Sequence, residues 1–560
     1  MRDNRNIPRC RVAVIGGGAA GLAAAQSLLP RLQEKEHKNV EPLMIFEARN
    51  RIGGRIHTSL VEYDAQGTFP VEMGAAWVHG TGVAFGQPFG QNGEDEAELN
   101  PMVKILQKRK DLCKDTMDED PLKAGLLYTC PVGNPDTRPR DVLHSTIPLL
   151  EIYVAGHRID RYSADVSEAL GLYEHILEGA SRVGAAAYTC GEGLSTTAIS
   201  IGKTIDCIRS QAPDRIGLGY RCGSGAGENS MVESLLGYYF HALQDWHPHD
   251  LSNIQLSEFI VNSDDEEDDK EEAFDLGGDD GDFPGPHCNV RGGMAALLQP
   301  LLENGVKERV FLDHEVDCIE RKQSNDSDLI LIRCRNGTEV LADYCIVTMS
   351  IGCLKVAIAS HIFHPTISDD KQEAIAMLQM GCYRKVFLFF DNIFWPTEAT
   401  IFGLVRFQVQ SPELLGVPDD GLGNYLSVAN SFAKDGIACL EVTLNGKAAQ
   451  WACGRTDEDI RNEVLRFLDD SIVVEDGSSF FTRCVGCRVT RWEEDKFSMG
   501  AYSGFTLGTL ERHTESLGEP EWDGHLMFAG DAVIGEYEGS VHGALLSGEE
   551  AAKKVAERIS

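Results

Sequence analysis

Arg11-Val-Ala-Val-Ile-Gly-Gly-Gly-Ala-Ala-Gly21 is the stretch that decides the fold. The apolar, β-branched start reads as a short buried strand, and it stops at glycine. Ala19 to Leu29 is rich in Ala and Leu and reads as a helix, with Pro30 after it. Leu43-Met-Ile-Phe46 is a second buried strand, and Glu47 stands at its end. Between the first strand and the helix, Gly16 to Gly21 fits G-x-G-x-x-G. Gly16 allows the tight turn, Gly18 lets a pyrophosphate approach the backbone, and Gly21 lets helix and strand pack closely. The helix N-terminus, with Ala20 in its first turn, offers free N–H groups to phosphate. Glu47 lies 26 residues after Gly21, where an acid binds a ribose hydroxyl. The bland alternative, a glycine-rich turn beside a surface glutamate, leaves the order of strand, turn, helix, strand and acid unexplained. The opening is therefore a βαβ unit of a parallel, covered α/β sheet.

Composition narrows the class. The chain has 560 residues, 42% of them hydrophobic and 25% charged, which rules out a wholly disordered polymer. The net charge of −36 repels nucleic acid phosphates and anionic membranes and draws cations. Sixteen cysteines are too few for a disulfide scaffold of this length and read as reduced thiols. No apolar run approaches a membrane span, and Met1 to Asn6 lacks a signal-type apolar core. Arg558-Ile-Ser560 is not the S-K-L peroxisomal tail, so cytoplasm or nucleus is expected.

Further along, Phe85 to Asn100 reads as a surface loop, and Ser163 to Arg182 and Asn229 to Leu243 read as helices. Asp264 to Asp282 carries twelve acids against Lys270 alone and reads as a disordered acidic insertion, residues 262–285. A helix is expected to open at Arg291-Gly-Gly-Met294. Strands are expected at Leu329–Arg333, Tyr344–Thr348 and Tyr383–Phe390, and again at Leu526–Asp531 before a last helix, Ser540–Ile559. With α/β signals at both ends and in the middle, the architecture is a doubly wound FAD-binding (Rossmann-like) domain, discontinuous, with an inserted α+β substrate domain. Its expected segments are 10–86, 286–368 and 486–560, with 87–261 and 369–485 inserted.

Glu47-Ala-Arg-Asn-Arg-Ile-Gly-Gly-Arg55 continues directly from the acid. Arg49 and Arg55, the latter beside Gly54, can place a guanidinium on a cofactor phosphate or flavin ring. Here the sequence resembles the flavin-containing amine oxidases, over residues 10–80, 288–395 and 485–556. The likeness is greatest to spermine and acetylpolyamine oxidases. It implies FAD as cofactor, a polycationic amine substrate and oxygen, with no metal.

The resemblance assigns roles by position. Val316 lies where the family sets a valine backbone against the adenine. Val71-Glu-Met-Gly-Ala-Ala-Trp-Val-His-Gly80 is similar to the second flavin-contacting segment, with Gly74, Ala75 and Trp77 on the cofactor and His79 facing the substrate; an ordinary loop histidine is the alternative. Lys385, mid-strand among apolar residues, matches the lysine that holds a water against flavin N5, where burial suits it to proton or oxygen chemistry. Arg384 points to the opposite face of the strand, so one of the two is expected inside. Trp492 would pack on the flavin, and Tyr502 would be an aromatic wall that orients an amine nitrogen. Gly530 and Asp531 resemble the closing signature, in which Asp531 stands for a usual Glu and so reaches one methylene less. Ser540 and Val541 begin the last helix, whose N–H groups would meet the flavin. Monoamine oxidases carry a second aromatic wall at the Ser540 position, so a hydroxyl there implies room for a longer, secondary amine.

Other motifs carry less. Cys484-Val-Gly-Cys487 has no second pair at zinc spacing and reads as strand cysteines. His247-Pro-His249 reads as a solvated polar loop. Two enzyme rivals share the N-terminal fingerprint: a histone-lysine demethylase, and a flavin desaturase or protoporphyrinogen-type oxidase. An FAD-binding scaffold that works through its acidic loop is the non-catalytic rival.

Overall fold

The structure is a computed structural model. It describes residues 7–34, 39–62, 68–80, 99–109, 126–128, 150–189, 199–211, 230–256, 283, 288–290, 292–323, 328–397, 399–407, 421–432, 436–474 and 477–559. The acidic run from Asp264 to Asp282 and nearly all of the Phe85–Asn100 loop lie outside these residues.

Five parallel strands form the heart of the first sheet. Across it run Val310–Phe311, Glu41–Phe46, Arg9–Ile15, Glu339–Val347 and Leu526–Phe528. In chain order these are the third, second, first, fourth and fifth, the doubly wound order that leaves a crevice at the carboxyl ends of the central strands. The first strand is apolar from Val12 to Ile15 because both its faces are covered there. Val12 and Val14 pack with Leu43 and Ile45 under the Ala19–Gln33 and Val541–Ile559 helices. Ala13 and Ile15 pack on the other side with Ile351, Leu354 and Trp522.

The Glu339–Val347 strand has two partners along one edge. Its first half pairs antiparallel with Asp328–Cys334, and its second half pairs parallel with Leu526–Phe528. Thus the expected 344–348 strand begins earlier than its apolar run suggests. The helices expected near 163–182 and 229–243 are Ala164–Thr189 and Ser230–Asp245. The helix expected to open at Arg291–Met294 and to be limited or kinked by Pro300 is short. Met294–Leu297 is a 3-10 turn and Leu298–Leu301 a single helical turn that contains Pro300.

A second sheet of seven strands has the order Cys484–Val489, Tyr383–Phe390, Cys439–Asn445, Tyr425–Asn430, Ile401–Val405, Leu150–Val154 and His157–Arg158. Tyr383–Phe390 is central, with Cys484–Val489 on one side and Cys439–Asn445 on the other. Burial on both its faces corrects the expectation that only one of Arg384 and Lys385 lies inside, since both do. Arg384 faces away from the cavity, 2.6 Å from Glu494 and 3.4 Å from Glu493. Those two acids let a guanidinium sit in an apolar layer.

The hydrogen bond from Arg384 holds the Glu494 carboxyl down to about 2, from an ordinary 4.5. A carboxylate whose folded pKa is depressed stabilises the fold above its unfolded pKa and loses that contribution as pH falls through the folded one. The holoenzyme melting temperature should therefore drop as pH falls from about 4.5 toward about 2. In Glu494→Gln this component should be missing, and an unchanged pH curve would remove the pair from the account.

Candidate functional site: a cavity between the two sheets

A cavity of about 990 Å³ runs from the glycine turn of the first sheet to the inner face of the second. Gly16 has φ of +115°, and a side chain there would strike Thr348. A Cβ on Gly21 would collide with the Gly16 carbonyl. At Gly18 a Cβ would meet nothing within 4 Å, so the backbone lies open to the cavity. Gly18 is also the N-cap of the Ala19–Gln33 helix and brings no side chain to cover its first N–H groups. An open glycine backbone at a helix N-terminus fits a pyrophosphate.

Around this cradle the chain braces itself. Gly53 donates to the Gly17 carbonyl at 2.8 Å. The Glu47 carboxylate is buried and accepts from the N–H of Gly17 at 2.7 Å and of Arg49 at 2.8 Å. The Arg49 guanidinium is held by both oxygens of Asp495, each at 2.7 Å, and by Ser498 at 2.8 Å. Arg55 grips Asp531 in a two-pronged pair, one contact being 2.7 Å. Ser503 adds its N–H at 3.3 Å and its hydroxyl at 3.1 Å to the same carboxylate. Burial pushes the Asp531 carboxyl up, but the Arg55 charge and these hydrogen bonds outweigh it and hold it below its ordinary value. The shorter acid thus has its partner within the protein.

The remaining expected cofactor positions line the same cavity. Gly54, Gly74, Ala75, Trp77, Val316, Trp492, Gly530, Ser540 and Val541 all do. The Trp492 indole N–H donates to the Met73 carbonyl at 2.8 Å, and its ring edge would lie 3.2 Å from a Cβ on Gly74. Position 74 is kept small chiefly by the Arg55 carbonyl, which a Cβ there would strike.

Beyond the cradle the cavity meets the second sheet. The Lys385 side chain is 9% exposed. Its Nζ lies 3.0 Å from Glu441 and 3.3 Å from the Glu72 carbonyl. In register Lys385 opposes Thr443, so Glu441 is its diagonal neighbour on the same face. Tyr502 and Tyr383 stand with ring centroids 5.8 Å apart. The Tyr502 hydroxyl donates to the Trp246 carbonyl at 3.3 Å, and the Trp246 ring stands edge-on to His79 at 6.0 Å. His79, Tyr502 and Lys385 all line the one cavity. Ser540 lines it too, with its hydroxyl capping the last helix: it donates to the Tyr537 carbonyl at 2.7 Å and accepts from the Gly543 N–H at 2.9 Å.

One expectation is overturned. His247 and His249 are both half-buried and line the cavity. Burial, with each imidazole facing a second cation or imidazole, lowers both to about 4, so both are neutral at pH 7. A Pro between two histidines after a helix looks like a solvated loop, but here the loop folds in against Gly381 and Gly504. Cys484 and Cys487 lie in a strand as expected, and no metal-binding group occurs among the described residues. Sequence reasoning missed Asp245, Trp246, Tyr383 and Glu441, all of which line the cavity. For Tyr383 a signal existed: two residues before Lys385 on a strand, it had to share that face.

Comparison with known proteins matches this geometry. Residues 19–93 and 241–556 match the family described as flavin containing amine oxidoreductase. The chain belongs to this family. It is 25% identical over 555 residues to probable polyamine oxidase 4 of Arabidopsis thaliana, covering 99% of this chain and 88% of that protein. It is also similar to histone demethylase-like protein A of Aspergillus fumigatus, at 31% identity over 296 residues, 51% of this chain and 26% of that protein. Among solved structures, a putrescine oxidase redesigned in its cofactor binding shares the fold, with a TM-score of 0.60 and 15% identity over 98% of this chain and 100% of that one. The protein is an FAD-dependent amine oxidase, and the open cradle at Gly18 fits its dinucleotide.

Two substitutions test the cradle. Gly21→Val places a side chain on the Gly16 carbonyl, and Asp531→Ala leaves the Arg55 guanidinium without its acid. Each should lower bound flavin per chain at least tenfold, read from the visible spectrum of purified protein, with far-ultraviolet dichroism reporting the fold. Full flavin content in both would rule out this cradle.

Proposed function

We propose that the protein is a polyamine oxidase that acts on a secondary amine of spermine, or of an isomer or acetylated polyamine. The overall change takes the amine, oxygen and water to an aldehyde, a shorter amine and hydrogen peroxide. The observation that carries the reading is the single cavity that joins the glycine cradle to Lys385, Tyr502 and His79. Bound FAD supplies the hydride acceptor for the carbon next to the amine nitrogen. In this reading the protein's residues bind, orient and dehydrate. The Tyr502 and Tyr383 rings offer electron-rich faces to the amine and set the reacting carbon against the cofactor. His247 and His249, neutral at pH 7, can accept a hydrogen bond from an amine N–H. Lys385, held by Glu441 and the Glu72 carbonyl, directs its Nζ where a water can be fixed and a proton moved. His79, edge-on to Trp246, borders the substrate on the other side.

Residues 10–86, 286–368 and 486–560 would carry the FAD, and 87–261 and 369–485 would shape the substrate space. A net charge of −36 attracts a polycation toward the mouth. The protein would work in the cytoplasm or nucleus, with oxygen as acceptor. A second reading, demethylation of a histone lysine, is favoured by the demethylase-like relatives.

Anaerobic spermine should bleach the oxidised flavin band of the purified protein. A band left unchanged by spermine, its isomers and acetylated polyamines, but bleached by a methylated histone peptide, would replace this reading with the second. Lys385→Met should keep its flavin and lose turnover by about 100-fold or more, the range of one positioned proton-transfer group. Near-normal turnover in that variant would exclude Lys385 from the chemistry.

A further inference from the structure

We infer that Asp245 is the anchor for a distal ammonium of the substrate, and so the residue that selects long, multiply charged amines. The inference rests on the polyamine reading above and names the group that reads the far end of the chain. Asp245 closes the Ser230–Asp245 helix and lines the cavity. Its side chain is 17% exposed. Asn445 donates to its Oδ1 at 2.5 Å, Ser427 adds a further hydrogen bond, and the His241 Nε2 lies 3.8 Å away.

Two features of this carboxylate point to a cationic ligand. First, it differs in its company from two other acids of the cavity. Asp531 has Arg55, and Glu441 has Lys385. Among the described residues, the partners of Asp245 include no lysine or arginine. Burial pushes its carboxyl above its ordinary value, with His241, Ser427 and Asn445 only partly offsetting that. Second, it sits at a helix C-terminus, where the backbone carbonyls already present negative charge and a cation is favoured. An anion placed there is opposed by both burial and the helix end. A ligand ammonium would answer both at once.

The placement also states a length. Glu441, Thr443 and Asn445 alternate along one strand and so share its cavity face. Glu441 pairs with Lys385, Thr443 with Tyr383, and Asn445 with Asp245. Glu441 and Asn445 are four residues apart, about 13 Å at roughly 3.3 Å per residue. The carboxylate therefore stands on the Tyr383 side of Lys385, since Asn445 lies opposite Tyr383 in register. A monoamine brings no second ammonium to it, whereas a polyamine with a free terminal nitrogen does.

The test compares wild type with Asp245→Asn, which is close in size and keeps polar groups toward Asn445 and Ser427, and with Asp245→Glu. Calorimetric titration of the anaerobically reduced holoenzyme with spermine reads binding without turnover, because reduced flavin cannot accept a hydride. Anaerobic flavin reduction reads the limiting rate for spermine and for a secondary monoamine with the same reacting end. The expected result is at least a tenfold weaker spermine affinity in Asp245→Asn, partial recovery in Asp245→Glu, a limiting rate within threefold, and no change with the monoamine. Equal losses on both amines, unchanged spermine affinity, or wild type that does not bind spermine would each overturn the assignment. Wild type that binds spermine in an Asp245-dependent way without flavin reduction would keep the anchor and refute the oxidase reading.

Discussion

The pair between Arg55 and Asp531 is the interaction on which the site depends. It joins residues 476 positions apart in sequence. Arg55 follows the first glycine segment, and Asp531 follows the last strand of the parallel sheet. Asp531 is buried and Arg55 half-buried, so the cost of drawing these charges out of water is met because they meet each other and Ser503. That meeting sets the last segment of the chain against the first, and the Val541–Ile559 helix then packs along Ala19–Gln33 with Gly548 against the Ala20 backbone. The cradle, the entrance of the last helix and the floor of the cavity are all set by this closure.

Much of this was legible in sequence, for a physical reason. The cradle is built from local rules: glycine where a Cβ would collide, an apolar strand where both faces are covered, an acid at a strand end. Such rules act over a few residues and leave a local mark, as at Gly16, Gly21 and Glu47. Strand Tyr383–Phe390 was legible for the same reason. What the sequence concealed arises from distant partners. Arg384 is buried because Glu493 and Glu494 arrive from more than a hundred residues away. His247 and His249 look solvated until Gly381 and Gly504 are seen to leave them room. Asp245 looked like a helix-end acid, and nothing nearby in sequence reveals that its environment is a cavity.

The division between legible and concealed parallels the comparisons. The 25% identity to a polyamine oxidase extends over nearly the whole chain. The residues that border the amine come from the second sheet and the helix before it. These segments carry few local constraints beyond alternation of apolar and polar positions, so a side chain such as Asp245 can differ without disturbing the frame. A demethylase-like protein and a polyamine oxidase can both resemble this chain on that account.

The forked pairing of Glu339–Val347 has a consequence for biogenesis. One half of that strand is satisfied by a neighbouring hairpin, made within a few residues of it. The other half waits for Leu526–Phe528, about 180 residues further along the chain. Until that segment is made, the nascent chain presents a half-paired central strand. Long-range parallel pairing is slow to form, and unpaired edges of this kind invite aggregation and chaperone capture. Completion of the sheet, and with it a place for the cofactor, thus hangs on a segment made long after the strand it completes.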